Sequence, residues 1–326
     1  MEKRRNNDMN SRSIKRTVLS IVQQHLRGNY SDLLTRFSYL ASGAHDFIQM
    51  TQNPNYLGYK REMLLINNLV HSLRNTIYTP LHIIDLGPGD GTKALKLLNL
   101  HGSVIQYTAL DISQEMLDKT QQTIRYVRNI EKYFIRCDWH TSSEIKKVIN
   151  NHYSNTNLFL LLGNTLTNEI CMEKFLSDFR NNFKYNVKPV YLLIGIELMS
   201  ASLPKILAEY RCPENYRLTV RPLKIIGINP ADGITDITFN KKAQRIEEWF
   251  IVSRNKEIYA CGKKIILHSG NKILLSVTYK PNLPIIRKIF LKTGWDVIFQ
   301  DCEKNQCMVL IKQRLPTTYS SSFESQ

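Results

Sequence analysis

The chain has 326 residues, an ordinary 43% hydrophobic content and a formal net charge of +16. That length buries one large core or two closely joined ones. No apolar run approaches the roughly 20 residues of a membrane span; the longest, around Leu158–Leu162, is strand-sized.

Lys3, Arg4 and Arg5 are followed by no apolar stretch, so the N-terminus does not read as a secretory signal. The six cysteines form no Cys-x-x-Cys pair, which points to reduced thiols in a cytoplasmic protein rather than a disulfide framework or a zinc site. The histidines show no metal-ligand spacing, and no metal is expected. A charge of +16 raises a nucleic-acid partner. The basic residues are spread along the chain, however, densest within 1–16, and no aromatic–basic recognition motif accompanies them. A solvated basic surface is the better reading.

Residues 1–17 read as a disordered basic tail, and 18–79 as a helical segment with helices at Val18–Leu26 and Leu33–Leu40. The turn Asn53-Pro54-Asn55 introduces a further helix carrying Met63, Leu64, Ile66 and Leu69. From residue 80 to 212 strands and helices alternate. The strands are Leu81–Leu86, Val104–Leu110, Tyr133–Cys137, Leu158–Leu162 and Val190–Ile196; the helices lie near 113–129, 142–151, 169–183 and 201–210. This rhythm predicts an α/β fold with a doubly wound, mostly parallel sheet. Residues 213–270 read as an inserted β-rich subdomain. The sheet is expected to resume over 271–314, with a strand at Lys272–Tyr279, a helix near 284–293 and a last strand at Cys307–Lys312. Residues 315–326 form a Ser-rich tail.

The stretch Leu81-His82-Ile83-Ile84-Asp85-Leu86-Gly87-Pro88-Gly89-Asp90-Gly91-Thr92-Lys93 is a strand, a glycine turn and a helix start. Glycine lets backbone approach a ligand closely. Asp85 would repel a phosphate and suits a cationic or polar group, such as the amino-acid end of S-adenosylmethionine. Eighteen residues after Lys93, Asp111 ends a second strand, a spacing suited to ribose hydroxyls. Asp138-Trp139 ends the third strand, where an acid could accept from an adenine amino group while the indole lies on the base. Gly163-Asn164-Thr165-Leu166-Thr167-Asn168 follows the fourth strand, and Asn168 alone reads as a helix cap.

Together these segments resemble the histidine-specific α-N-methyltransferase family of the ergothioneine pathway. The resemblance spans about residues 30 to 313. It rests on Asp85-Leu86-Gly87-Pro88-Gly89 with Lys93, on Tyr107 to Ser113, on Asp138-Trp139 (Trp where Phe is usual) and on Leu162 to Asn168. Asn164 and Thr167 depart from the family's Ser and Gly. Tyr39 and Tyr56 match the family's two N-terminal tyrosines, and Tyr210 more loosely a third. The resemblance implies a Rossmann-like methyltransferase with a second, substrate-binding subdomain built from the N-terminal segment and the β-rich insert. It implies methyl transfer from S-adenosylmethionine to the α-amino nitrogen of an amino acid or a small amino-acid-derived metabolite, up to the trimethylated betaine. Asp85, Gly87, Gly89, Lys93, Asp111, Asp138 and Trp139 would position the cofactor. Tyr39 would steer the amine, and Asn168 and Tyr210 would hold the carboxylate, with Tyr56 beside them.

In the family's closing sheet a Glu-x-Ser pair holds the imidazole. Here Ser276 stands at the glutamate and Thr278 at the serine. This implies a larger, less acidic pocket and a best substrate other than histidine, unless Glu247 or Glu248 supplies the charge. The rival readings are an RNA or other nucleic-acid methyltransferase, which would want a proline–aromatic acceptor motif after the fourth strand, and a non-catalytic cofactor-binding partner subunit.

Overall fold

The computed structural model describes residues 2–6, 11–53, 56–77, 80–100, 103–140, 145, 156–183, 188–199 and 202–315. The helix expected near 142–151 and the C-terminal tail lie almost wholly outside these residues, as do Pro54 and Asn55 of the Asn-Pro-Asn turn.

An eight-stranded sheet forms the core. Its strands are β1 (Glu2–Asn6), β2 (Leu81–Leu86), β3 (Val104–Asp111), β4 (Glu131–Arg136), β5 (Thr156–Leu161), β6 (Tyr191–Glu197), β12 (Trp295–Glu303) and β13 (Gln306–Gln313). Their order is β1-β4-β3-β2-β5-β6-β13-β12. The first six run parallel, and β13 and β12 close the sheet antiparallel. Strands β2, β5 and β6 are buried at every position, as strands covered on both faces must be.

Alternation sorts their side chains between the two faces. Ile84, Phe159 and Ile194 join Leu176 and Phe179 of α6 (Met172–Asn181), Phe290 of α10 (Leu283–Lys292) and Trp295. On the other face, Ile83, Leu160 and Leu193 share a core with Ile66 and Leu69 of α3 (Leu57–Thr76) and with Ala94 and Leu97 of α4 (Thr92–Leu100). Helix α5 (Gln114–Thr123) adds Leu117 to this second layer.

A second lobe sits at the carboxyl ends of the parallel strands. Its three-stranded antiparallel sheet, order β11-β8-β7, is made of β7 (Gly233–Asn240), β8 (Arg245–Val252) and β11 (Lys272–Tyr279), with a hairpin of β9 (Lys256–Ala260) and β10 (Lys263–Leu267). Helix α1 (Ser11–Leu26) lays Ile14, Val18, Ile21 and Val22 into one core with Phe250, Ile273 and Leu275 of this sheet. Helix α2 (Gly43–Gln52) is tied to the same lobe through Asp46, which pairs with Arg217 and Arg221. The N-terminal segment and the β-rich region therefore build one lobe.

The structure differs from the sequence reading at four places. Glu2–Asn6 pairs in parallel with β4 and α1 starts at Ser11, where 1–17 reads as disordered. Residues 213–225 are helical, α8 (Pro213–Thr219) and α9 (Arg221–Ile225), rather than β. Pro213 and Pro222 sit in the first turns of these helices, where the missing N–H costs nothing. Lys272–Tyr279 pairs with β8 in the lobe, not with the core sheet, which closes instead with β12, absent from the expectation. Finally, Cys302 and Cys307 are opposed in the β12–β13 register and joined by a disulfide, where reduced thiols are expected; Cys137, Cys171, Cys212 and Cys261 are free. Among the described residues no helix is long and apolar enough to cross a membrane, and no cluster of three His, Cys, Asp or Glu could hold a metal.

Trp295 is fully buried, lies 6.3 Å from the Phe179 ring and donates its Nε1–H to the Leu176 carbonyl at 3.3 Å. Trp295→Ala opens a cavity under α6 and should cost about 3–5 kcal/mol. Urea unfolding would show this as a lower midpoint at unchanged slope.

Candidate active site

The loops after β2, β3, β4 and β5 meet the lobe around three adjoining cavities. The first is lined by Arg36, Tyr39, Gly87, Asp111, Asp138, Trp139 and Asn168, among others. The second holds Tyr39, Asp85, Gly87, Gly89, Lys93, Asp111 and Asn168. The third holds Tyr39, Tyr56, Asn168, Tyr210, Glu248, Ser276 and Thr278, with Glu197 and Glu209. Every residue expected from sequence to serve the site lines at least one of them. Tyr39 and Asn168 line all three.

The β2 turn is built for close approach. Gly87 has φ +74°, and a Cβ there would project into open space, toward the cavities the residue lines. Asp85 and Asp111 are buried at adjacent strand ends. Burial pushes each carboxyl up to about 7, against a hydrogen bond from Tyr107 Oη at 3.0 Å for Asp85 and backbone N–H donors of Ser113 and Ile112 for Asp111. Lys93 is ion-paired with buried Glu62, whose other oxygen accepts the Gly163 N–H at 2.8 Å. A Cβ at Gly195 would overlap this carboxylate, so Gly195 makes the room Glu62 occupies. Glu62 is invisible from sequence: it stands on α3, far from both of its partners in the chain.

At the far end of the first cavity, Asp138 is already engaged. It meets Arg36 Nε at 3.1 Å and His140 Nδ1 at 3.1 Å. Despite burial, these partners hold its carboxyl below the usual range. His140 also bonds Glu169 at 2.9 Å, and the two acids outweigh burial to push the imidazole up to about 9. The imidazole stacks on Trp139, centroids 3.9 Å apart, so one indole face is covered by His140 rather than left wholly for a base.

Asn168 ends a short 3₁₀ turn, Leu166–Asn168, and does not cap the following helix, whose N-cap is Cys171. Its Oδ1 accepts from Thr278 Oγ1 at 3.0 Å, which leaves the amide N–H₂ to serve a ligand. Tyr210 ends α7 (Leu203–Tyr210), with the Lys280 ammonium 5.2 Å from its ring centroid. Lys280, fully buried, is paired with Glu197. Tyr39 is desolvated and feels Asp111 and Glu248, so its hydroxyl is pushed up to about 12 and stays protonated.

Of the two acids left open to supply the missing charge, Glu248 is the one on the cavity wall. Ser276 does stand on the cavity wall, but its hydroxyl donates to Glu248 at 2.6 Å, and Glu248 lines the same cavity. Asn215 donates to the other carboxylate oxygen at 2.7 Å. Burial outruns these bonds and pushes Glu248 up to about 7. Glu247 faces away, bonded to Arg245, Asn240 and Trp249.

A parallel sheet with this closing hairpin, a glycine turn and acids at successive strand ends defines an S-adenosylmethionine-dependent methyltransferase. The chain belongs to the histidine-specific, S-adenosylmethionine-dependent methyltransferase family, whose model matches residues 18–219. The match ends before the strand that carries Ser276 and Thr278. No curated protein sequence matches the chain significantly. Among solved structures, the chain is similar to the CurJ carbon methyltransferase (11% identity, 93% of this chain and 68% of that one, TM-score 0.45). It is also similar to the CcbJ methyltransferase from Streptomyces caelestis (11%, 77% and 89%, 0.39). A third is the O-methyltransferase NcsB1 from neocarzinostatin biosynthesis, in complex with S-adenosylmethionine (10%, 94% and 70%, 0.40).

The cavities fit the cofactor chemically: carboxylates for an ammonium and for ribose hydroxyls, a lysine for a carboxylate, and an open glycine where a side chain would intrude. Asp111→Asn should weaken binding of S-adenosylhomocysteine about ten- to a hundredfold, the worth of hydrogen bonds to a charged acceptor. In the unaltered protein the affinity should fall as pH drops through about 7, because Asp111 and Asp85 take up protons there. Calorimetry from pH 8 to 6 checks both, and Asp111→Asn should flatten the slope.

Proposed function

We propose that the protein transfers methyl groups from S-adenosylmethionine to the α-amino nitrogen of a free amino acid, up to the trimethylated betaine. The observation that carries this reading is the meeting of all three cavities at Tyr39 and Asn168. A group held between these two residues touches both the cofactor cavities and the third one. That third cavity presents Glu209 and Glu248 with three tyrosines, and Glu197 there is balanced by Lys280, a lining that attracts an amine and repels a nucleic-acid phosphate.

In this reading Asp85 and Lys93 hold the amino-acid end of the cofactor, Asp111 its ribose, and Asp138 and Trp139 border its base. The bound cofactor supplies an activated methyl group on a sulfonium. The remaining work is positioning and proton management. An α-amino group titrates near 8 in peptides, so a proton must leave before attack. Neutral Tyr39 accepts an N–H bond and so aims the lone pair, without itself taking the proton. Glu209, half-buried on the cavity wall and raised by burial and by Glu197, offers the departing proton a path to solvent. The Asn168 amide and the Tyr210 and Tyr56 hydroxyls receive the acceptor's carboxylate, with Thr278 fixing the Asn168 amide.

Asn168→Ala should lower amino-acid turnover about a hundredfold, the cost of misplacing a reactant. S-adenosylhomocysteine affinity should stay nearly unchanged. Calorimetry alongside a product assay separates the two. Cofactor affinity collapsing with turnover would make Asn168 a structural residue and sink this assignment.

A further inference from the structure

Lys93 carries the only positive charge among the described residues lining the second cavity, where Asp85, Asp90 and Asp111 stand beside it. Its ammonium rides on a flexible four-carbon stem and could fold onto any of these acids. Its partner is instead Glu62, which lines none of the three cavities. Asp85 is near enough to feel the ammonium's charge, yet the ion pair is made with Glu62.

Three features of the fold put Glu62 there. Tyr59 and Glu62 stand three residues apart on one face of α3, so both reach Lys93, and the Tyr59 ring centroid lies 5.1 Å from the ammonium. Glu62 is 1% exposed, and its second oxygen accepts the Gly163 N–H at 2.8 Å, which fixes the carboxylate against the start of the loop that carries Asn168. Strand β6 is buried throughout and has glycine at 195, where a Cβ would overlap the Glu62 carboxylate. Glycine inside a strand forgoes side-chain packing and marks a close approach. A central strand thus gives up a side chain to admit an acid that lines no cavity.

Resting on the reading in which Lys93 takes the cofactor's carboxylate and Asp85 its ammonium, we infer that Glu62 is a positioning residue that holds Lys93 away from Asp85 and in place for the cofactor. An ammonium has three donors, so bonding Glu62 leaves others for the incoming carboxylate. Held in this way, Lys93 is ordered before the cofactor arrives, and such preorganisation adds affinity. Without Glu62 the ammonium turns to Asp85, and each then blocks the group meant for one end of the zwitterion. Through Gly163 the same carboxylate ties the cofactor's amino-acid end to the Asn168 loop.

The test is calorimetry with S-adenosylhomocysteine and with 5′-methylthioadenosine, which keeps the nucleoside and lacks the amino-acid end. Lys93→Met should weaken S-adenosylhomocysteine about tenfold or more, the worth of a hydrogen bond between charged groups, and leave 5′-methylthioadenosine unchanged. Glu62→Gln should give the same selective loss, about tenfold, and add little in the Glu62→Gln/Lys93→Met double variant, because a positioning residue acts through its lysine. Gly195→Ala displaces the carboxylate without removing its charge and should repeat the selective loss. S-adenosylhomocysteine affinity unchanged or raised in Glu62→Gln and Gly195→Ala would overturn the inference and leave the role of Lys93 standing. Equal weakening of both ligands would make Glu62 a structural residue and overturn it as well. If Lys93→Met keeps the full preference for S-adenosylhomocysteine over 5′-methylthioadenosine, the reading of Lys93 fails and the inference falls with it.

Discussion

The hydrogen bond from Thr278 to Asn168 joins the two halves of the molecule where the three cavities meet. Asn168 belongs to the loop after the fourth parallel strand of the expected series, which the core fixes. Thr278 belongs to the lobe sheet, which α1 and the N-terminal segment hold in place. On the proposed reading, the bond sets which face of the Asn168 amide a ligand sees and registers the acceptor wall against the cofactor wall. A displacement of either half would separate the donor methyl from its target, and in-line transfer tolerates little displacement. In the proposed reaction the lobe is therefore part of the geometry rather than a cover over it.

The same meeting point concentrates buried charge. Asp85, Asp111 and Glu248 are each pushed up to about 7 because burial outweighs the hydrogen bonds they accept. Such groups sit uneasily without a ligand and gain partners when an ammonium, a hydroxyl or an N–H arrives. Lys93 and Lys280 differ, since each has its own carboxylate, Glu62 and Glu197. Lys93 and Lys280 are neutralised within the protein while Asp85, Asp111 and Glu248 face the cavities, a lining that suits the amine acceptor of the proposed reading. The net charge of +16 does not extend into it.

The core is legible in the sequence because β2, β5 and β6 carry short, mostly apolar stretches separated by helix-length segments. The glycine turn and the strand-end acids are legible through spacing along a single chain direction. What escapes depends on pairing between distant segments. Trp295–Glu303 mixes polar and apolar residues without regular alternation and is only partly covered, so it gives a weak strand signal at the sheet edge. Glu62 meets Lys93 and Gly163 only after α3 folds across the sheet. His140 is a loop histidine until Glu169 arrives from beyond β5. Glu248 is readable as an acid in a strand. Its facing is not, because a bulge in the neighbouring strand decides it.

The most direct measurement of the central claim is where a labelled methyl group goes. Incubating the protein with methyl-labelled S-adenosylmethionine, a mixture of free amino acids and total RNA, then fragmenting the products in a mass spectrometer, locates the label to an atom. The geometry at Tyr39 and Asn168 predicts label on the α-nitrogen of a free amino acid, accumulating toward three methyl groups. Label on RNA, or on a side-chain or carboxylate atom with the α-nitrogen untouched, would contradict it.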